Sequence, residues 1–372
     1  MSARILALEP WDDGSHLAVR RSIQRHGTLD WQWLTLPGRG ARWRLRHAGL
    51  NFAERASELD AAGERFDAIF VSGLCSMSDF RAAAPPSMRN LPHVLYMHEN
   101  QAAYPVSEAV DRRTIDRDAH LSFTNLSSIE SADRVLWNSR YNRDSFIEQM
   151  TILLRRAPES VSSTWIDRLQ AKSTIAWPPV ESSHPEEAIL HNPDSSNYPD
   201  SGDGRKVVHV AWPHRWEHDK GCDELLAQIE EHRDDPNLAL RWTILGERYE
   251  RMPAAMHAIL DRHHDVIEHA GHLDSREEYL AALARCDWVN STARHEFFGI
   301  AVVEAMLLGC LPWLPDRLSY PEIVPTSLHG ANPWNPPADP EHARLELARH
   351  LEPAIAATAV TQIEQQIIAA ID

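Results

Sequence analysis

Lysine is almost missing from this chain of 372 residues; it occurs only as Lys172, Lys206 and Lys220. Acidic residues outnumber basic ones, 54 to 37, for a formal net charge of −17. So acidic a chain is a poor nonspecific binder of nucleic acid, although net charge averages over faces and leaves room for a local basic patch. Cysteine is sparse too. Cys75, Cys222, Cys286 and Cys310 are scattered, without metal or redox spacing, so reduced thiols in a cytoplasm are expected. Long apolar runs are absent: a charge or a proline interrupts each, which excludes a membrane-spanning helix. The opening MSARILALEPWDD lacks the apolar core and cleavage site of a secretory signal.

What is present is globular in composition, 43% hydrophobic and 24% charged. The length exceeds one typical core and suggests two domains. Short apolar runs at 5–8, 66–71, 93–97, 134–137 and 174–177 read as strands separated by helical segments. The pattern resumes at 207–211, 242–245, 266–269, 287–290 and 311–314. Such alternation predicts an α/β protein of two Rossmann-like, doubly wound parallel-sheet domains, whose ligands bind outside the carboxyl ends of the strands. Residues 1–180 form the first domain in this reading and 206–340 the second. Residues 181–205, rich in Ser, Pro, Asp and Asn, read as a linker or mobile loop. Residues 341–372 read as C-terminal helices.

Polar residues collect where those strands end. His295-Glu296-Phe297-Phe298-Gly299-Ile300 leads into an apolar helical run that contains Glu304 and stops at Gly309. Acids in such a run are costly unless paired, and a helix start opened by glycine offers free N–H groups to an anion. The set suits a phosphorylated sugar; an ordinary core helix with one stray Glu is the plainer alternative. After the 207–211 strand, Arg215 and Lys220 flank a loop and could neutralise a diphosphate, or simply pair with Glu217 and Asp219 on the surface. His214 and His218 are four apart, but lack the acidic companion of a zinc motif.

In the first half, His98 ends a strand and could face the reacting groups or merely bond nearby backbone. Gly14-Ser15-His16 is a small-residue turn suited to phosphate. Asp116-Arg117-Asp118 matches a metal-binding D-x-D pattern, but falls inside a predicted helix over 112–131, where residues two apart face different ways. Between 38 and 47, Arg39, Arg42, Arg44, Arg46, His47 and Trp43 gather without an acid. That stretch could grip phosphates and stack on an unpaired base, with Arg140 and Arg143 extending it; a solvated face paired with Glu54 and Glu58 is the alternative.

The run E-F-F-G-I-x-x-x-E-A-M-x-x-G resembles the donor motif of the retaining GT-B glycosyltransferases of family 4. Arg215, Lys220 and Gly221 match that family's R-x-x-x-x-K-G phosphate motif. HVAWPHRWEHDK, HEFFG, YMHENQ and E-P-W-x-x-G-S-H resemble more closely its tRNA-queuosine α-mannosyltransferase subgroup. The resemblance implies a GT-B fold with a central cleft, GDP-mannose as donor, queuosine in the tRNA anticodon arm as acceptor, and neither metal nor cofactor. It implies catalytic roles for His98, Glu296, Arg215 and Lys220. Gly14, Ser15, His295, Phe298, Gly299, Ile300 and Glu304 would join Arg215, Lys220 and Glu296 at the donor. His16, Arg42, Trp43, Arg44, Arg46, Glu99, Asn100, Asn138 and Ser139 would form the acceptor side. The rivals are a family 4 enzyme acting on a lipid or small glycoside, a sugar-nucleotide epimerase, and a noncatalytic sugar-nucleotide or RNA-binding protein on the same fold.

Overall fold

Runs such as Ala68–Ser72 and His93–Met97 are buried along their whole length, as parallel strands covered on both faces must be. The computed structural model describes residues 2–104, 112–181, 204–247 and 252–372, except the side chains of 41, 42 and 112–118. The chain divides into two compact units, residues 1–180 with 353–372, and residues 181–352.

The first unit carries a six-stranded sheet in the order β2-β1-β3-β4-β5-β6. Its strands are β1 (Arg4–Glu9), β2 (Asp30–Thr35), β3 (Ala68–Ser72), β4 (His93–Met97), β5 (Arg134–Trp137) and β6 (Ser173–Ile175). All its pairings are parallel. The chain winds one way from β1 to β2 and the other way from β3 onward, which puts a topological switch point between β1 and β3. The second unit carries five parallel strands in the order β11-β10-β7-β8-β9. They are β7 (Lys206–Pro213), β8 (Leu238–Leu245), β9 (Ile267–Gly271), β10 (Trp288–Asn290) and β11 (Leu311–Trp313). Its switch point lies between β7 and β10.

Every run read from the sequence as a strand overlaps one of these. The strand not anticipated is β2, whose sequence DWQWLT alternates polar and aromatic residues. It lies at the sheet edge, where Trp31 stacks on Trp33 at 5.5 Å. Gly14-Ser15-His16, expected as a turn, is the first turn of the helix Gly14–His26, with Asp13 as its N-cap. Asp116-Arg117-Asp118 lies within the helix Arg112–Ser131. Most of the expected 181–205 linker lies outside the described residues.

The C-terminal helices expected over 341–372 are present, and they belong to different units. Helix Pro340–His350 stays with the second, where Arg344 Nε donates to the Gly309 carbonyl at 2.8 Å. Helix Ala356–Ile371 completes the first. Its Val360, Ile363 and Ile367 share a core with Ile5, Ala7 and Phe70, each contributing roughly 1.5–3 kcal/mol of burial. Glu364 on that helix accepts from the Thr28 and Leu29 amides and from Trp31 Nε1. The physical reason is that one face of the first sheet needs cover, and this helix has the matching apolar stripe. No described helix is long and apolar enough to cross a membrane.

Candidate active site

In the second unit the loops after β7 and β10 meet at the switch point. The first runs through His214 and Arg215 to a short 3-10 turn, His218–Lys220, and then to Gly221 at φ 67°. A Cβ on Gly221 would lie 2.1 Å from the Thr292 carbonyl oxygen, so this contact admits only glycine. The loops are laced together: Arg294 N and His295 N donate to Asp219 O, and Thr292 Oγ1 donates to Lys220 O.

That lacing delivers Lys220 into the second loop. Its ammonium donates to the His295 carbonyl at 2.8 Å and to Glu296 Oε2 at 3.2 Å, with Asp219 Oδ2 also at 3.2 Å. Burial would lower the Lys220 pKa, but Glu296 and Asp219 outweigh it and raise it. Burial would likewise raise Glu296, yet Lys220 brings it below the usual carboxylate range. The imidazoles alongside are pushed down by burial and by Lys220, His214 to about 3 and His295 to about 4. The centre therefore holds a charged Lys220, a charged Glu296 and neutral His214 and His295 at neutral pH. Arg215 is exposed and pairs with Glu217 at 3.3 Å. Both surface pairs weighed as the alternative thus exist, but Lys220 is buried and also reaches Glu296.

Glu296 leads to Gly299, at φ 92°, which opens the helix Ile300–Leu307 with no side chain capping its start. A Cβ there would sit 3.5 Å from the Glu296 Cγ, so the Glu296 side chain lies beside the helix start, whose first-turn amides have no intrahelical partner. One turn on, Glu304 is buried among Val303, Ala305 and Met306. Its partners are residues that sequence reasoning missed: the Arg276 guanidinium and, at 3.3 Å, the Tyr279 hydroxyl. Both stand on the helix Arg276–Ala284, with the Arg276 cation over the Tyr279 ring at 5.2 Å. The signal was the unpaired acid itself, which demands a partner that sequence order does not reveal.

The Phe298 side chain is buried and its carbonyl accepts from Ser319 Oγ, which anchors the loop. The His295 ring is buried against Phe297, and its carbonyl is what holds Lys220. Ile300 is half-buried at the helix start. Gly14 and Ser15 are exposed in the first unit.

The first unit gathers its own cluster at its switch point. Glu9 ends β1, Ser72 ends β3 and His98 follows β4. His16 Nδ1 lies 3.0 Å from Glu9 Oε1 and 3.1 Å from Ser72 Oγ. The His16 and His98 rings are 4.0 Å apart. Glu9, His16 and His98 are buried, with ligand atoms within 4.8 Å of one another, close enough for a metal to be considered. Glu9 and Ser72 were not anticipated as site residues.

Several residues expected on the acceptor side make internal bonds. Asn100 Nδ2 donates to Asn142 and Ser145, and its Oδ1 accepts from Ala103 N. Asn138 Nδ2 donates to the His98 carbonyl at 2.6 Å while its Oδ1 accepts from Asn142. Ser139 caps the helix Arg140–Leu154. Through Asn142 these groups tie the loop that carries His98 to the start of the helix Arg140–Leu154. Glu99 is only partly buried and accepts from Gln101. In the basic stretch, Arg44 is buried and donates to the Pro37 carbonyl, because the stretch forms the start of the helix Ala41–Ala61 and Arg44 takes its inner face. Arg39, Trp43 and Arg46 are exposed; the Arg42 side chain lies outside those described.

A fold of two parallel α/β units is shared with distant solved structures. The N-terminal domain of Candida albicans trehalose-6-phosphate phosphatase is 12% identical, with a TM-score of 0.66 over 100% of this chain and 97% of that one. A sucrose-phosphate synthase from Thermosynechococcus elongatus is 15% identical, with a TM-score of 0.57 over 99% and 95%. The fold is GT-B and the protein is a glycosyltransferase. A Drosophila melanogaster tRNA-queuosine alpha-mannosyltransferase is 33% identical over 327 residues, 86% of this chain and 81% of the relative. The family described as tRNA-queuosine alpha-mannosyltransferase N-terminal matches residues 4–180. The chain belongs to the tRNA-queuosine alpha-mannosyltransferase family.

Proposed function

We propose that this enzyme transfers mannose from GDP-mannose to queuosine in the anticodon arm of tRNA, with retention at the anomeric carbon, without a metal, and in the cytoplasm. The observation that carries the reading is the pairing of buried Lys220 with Glu296 beside the uncapped helix start at Gly299. Lys220, Arg215 and the first-turn amides would stabilise charge on the departing diphosphate. That is the work a divalent ion would otherwise do. Glu296 would hold sugar hydroxyls and Glu304 the ribose, each carboxylate being an acceptor of more than one hydrogen bond. The bond from the anomeric carbon to the diphosphate breaks as the acceptor hydroxyl attacks from the same face, and the hydroxyl proton leaves on a phosphate oxygen. His98 would line the reacting sugar. The mannose and queuosine assignments draw on the name of the relative. The buried thiols of Cys75, Cys222, Cys286 and Cys310 suit a reducing compartment.

The test is incubation with a panel of sugar nucleotides and bulk tRNA, with and without EDTA, followed by nucleoside mass spectrometry. A hexose added to queuosine from GDP-mannose, unaffected by EDTA, is expected. Transfer only from another donor or to no tRNA overturns the substrate assignment, and loss in EDTA restored by magnesium overturns the metal-free mechanism.

A further inference from the structure

We propose that Glu9 and His16 are positioning residues for His98, and that the three form a buried relay which sets the orientation and charge of the His98 ring. The proposal rests on the reading that His98 lines the reacting sugar.

The contacts come from separate elements of the first unit. Glu9 Oε1 is 3.0 Å from His16 Nδ1 and accepts from the Trp11 amide at 2.9 Å. Ser72 Oγ supports the same His16 nitrogen from β3. The other flank of His16 meets His98, centroid to centroid at 4.0 Å and tilted by 30°. Tyr96 closes on His98 edge-on at 4.5 Å, and Asn138 holds its carbonyl. Glu9 is 2% exposed and His16 4%. A carboxylate that deep needs a counter-charge, and His16 is the group bonded to it. Two rings in contact cannot both be cations without strong repulsion. The ring bonded to Glu9 therefore takes the proton, and its neighbour stays neutral.

The remaining groups facing the pair agree. Burial pulls His16 down, but Glu9, helped by Glu99, leaves it raised. Burial and then His16 hold His98 well below the ordinary value. The Cys75 thiol and the Tyr96 hydroxyl are pushed up by burial and stay uncharged. A neutral imidazole can accept as well as donate to a sugar hydroxyl, whereas an imidazolium only donates. Two environments that drive a pair of titratable groups apart are how one site assigns them different roles. A metal centre fits less well, because two rings 4.0 Å apart with planes tilted by only 30° send their in-plane lone pairs in nearly parallel planes instead of toward one point.

The experiment is nitrogen-15 histidine NMR on the full chain without substrates, joined to a pH profile of transfer. In the unmodified chain His16 should be charged and His98 neutral at pH 7. Glu9→Gln should neutralise His16, move the titration of His98 upward, shift the acid limb of kcat to higher pH, and lower kcat by about tenfold or more. GDP-mannose affinity should stay within twofold, and Glu9→Asp should restore part of the rate. A neutral His16 in the unmodified chain overturns the relay, as does an unchanged pH profile in Glu9→Gln. Stoichiometric zinc binding that shifts both ring signals overturns it in favour of a metal site. The NMR arm uses neither donor nor acceptor, so it fails separately from the substrate assignment.

Discussion

The Lys220 ammonium sits 3.2 Å from the Glu296 carboxylate, joining the loop after β7 to the loop after β10. Removing one partner of a buried ion pair strands the other. Lys220→Met should therefore cost roughly 3 kcal/mol of stability, at the low end for such pairs because the Glu296 side chain keeps 23% exposure. The pH dependence follows from the directions of the shifts. Glu296 is depressed in the folded state, so its contribution is present above its unfolded value, about 4.3, and is lost as pH falls through the folded value. Lys220 is raised, so its contribution is present below about 10.4 and is lost as pH rises through the folded value. Denaturant titrations from pH 3 to 11 should show a plateau between these limits, and Lys220→Met should weaken the acid-side loss that Glu296 causes. An unchanged profile would mean the pair does not couple to folding.

Glu304 is held by Arg276 and Tyr279, so a ribose bound there as proposed would have to share or replace those partners. Glu304→Ala should weaken GDP-mannose binding about tenfold to a hundredfold, the worth of a hydrogen bond to a charged group, with the fold retained. Arg276→Ala should instead lower stability, because it leaves a buried acid with Tyr279 alone. Calorimetry separates the two: unchanged donor affinity in Glu304→Ala would assign the acid to structure only.

The parallel sheets were legible because buried strands are short, continuous apolar runs bounded by polar residues. β2 was not, since an edge strand need not be apolar on both faces. The Lys220, Glu296 and Glu304 carbon skeletons lie on motifs whose spacing is local. Their partners are not local: Arg276 is 28 residues from Glu304, and Ser72 is 56 from His16. Asn100, Asn138 and Ser139 looked like ligands because they are polar and end strands. Their side chains make capping and loop bonds, which composition cannot distinguish from a binding surface.

Gly221 offers a test of the loop lacing itself. With φ at 67° and a Cβ only 2.1 Å from the Thr292 carbonyl, Gly221→Ala must displace the segment that aligns Lys220. A strained backbone alone costs about 1–3 kcal/mol, and the clash adds to it. The melting temperature should fall and donor affinity should fall with it. A variant that keeps both would show that the two loops can part without cost.

A net charge of −17 opposes RNA unless positive groups are concentrated. Around the start of the helix Ala41–Ala61, Trp43 is 68% exposed, and Arg39 and Arg46 are exposed with it. Arg44 turns inward to the Pro37 carbonyl, so it supports the helix start and is not available to a phosphate. An exposed indole between guanidinium groups can stack on an unpaired base while they take the backbone. Trp43→Ala should weaken tRNA binding by about 1–3 kcal/mol, the usual worth of one base stacked on an aromatic. Arg46→Ala should flatten the dependence of log affinity on log salt by about 0.7–0.9, the share of one phosphate contact. GDP-mannose affinity should be unchanged in both, and Arg44→Ala should reduce stability without altering the salt slope. Equal tRNA affinity for the unmodified chain and the Trp43→Ala, Arg46→Ala double variant, at two salt concentrations, would remove this surface from the acceptor site.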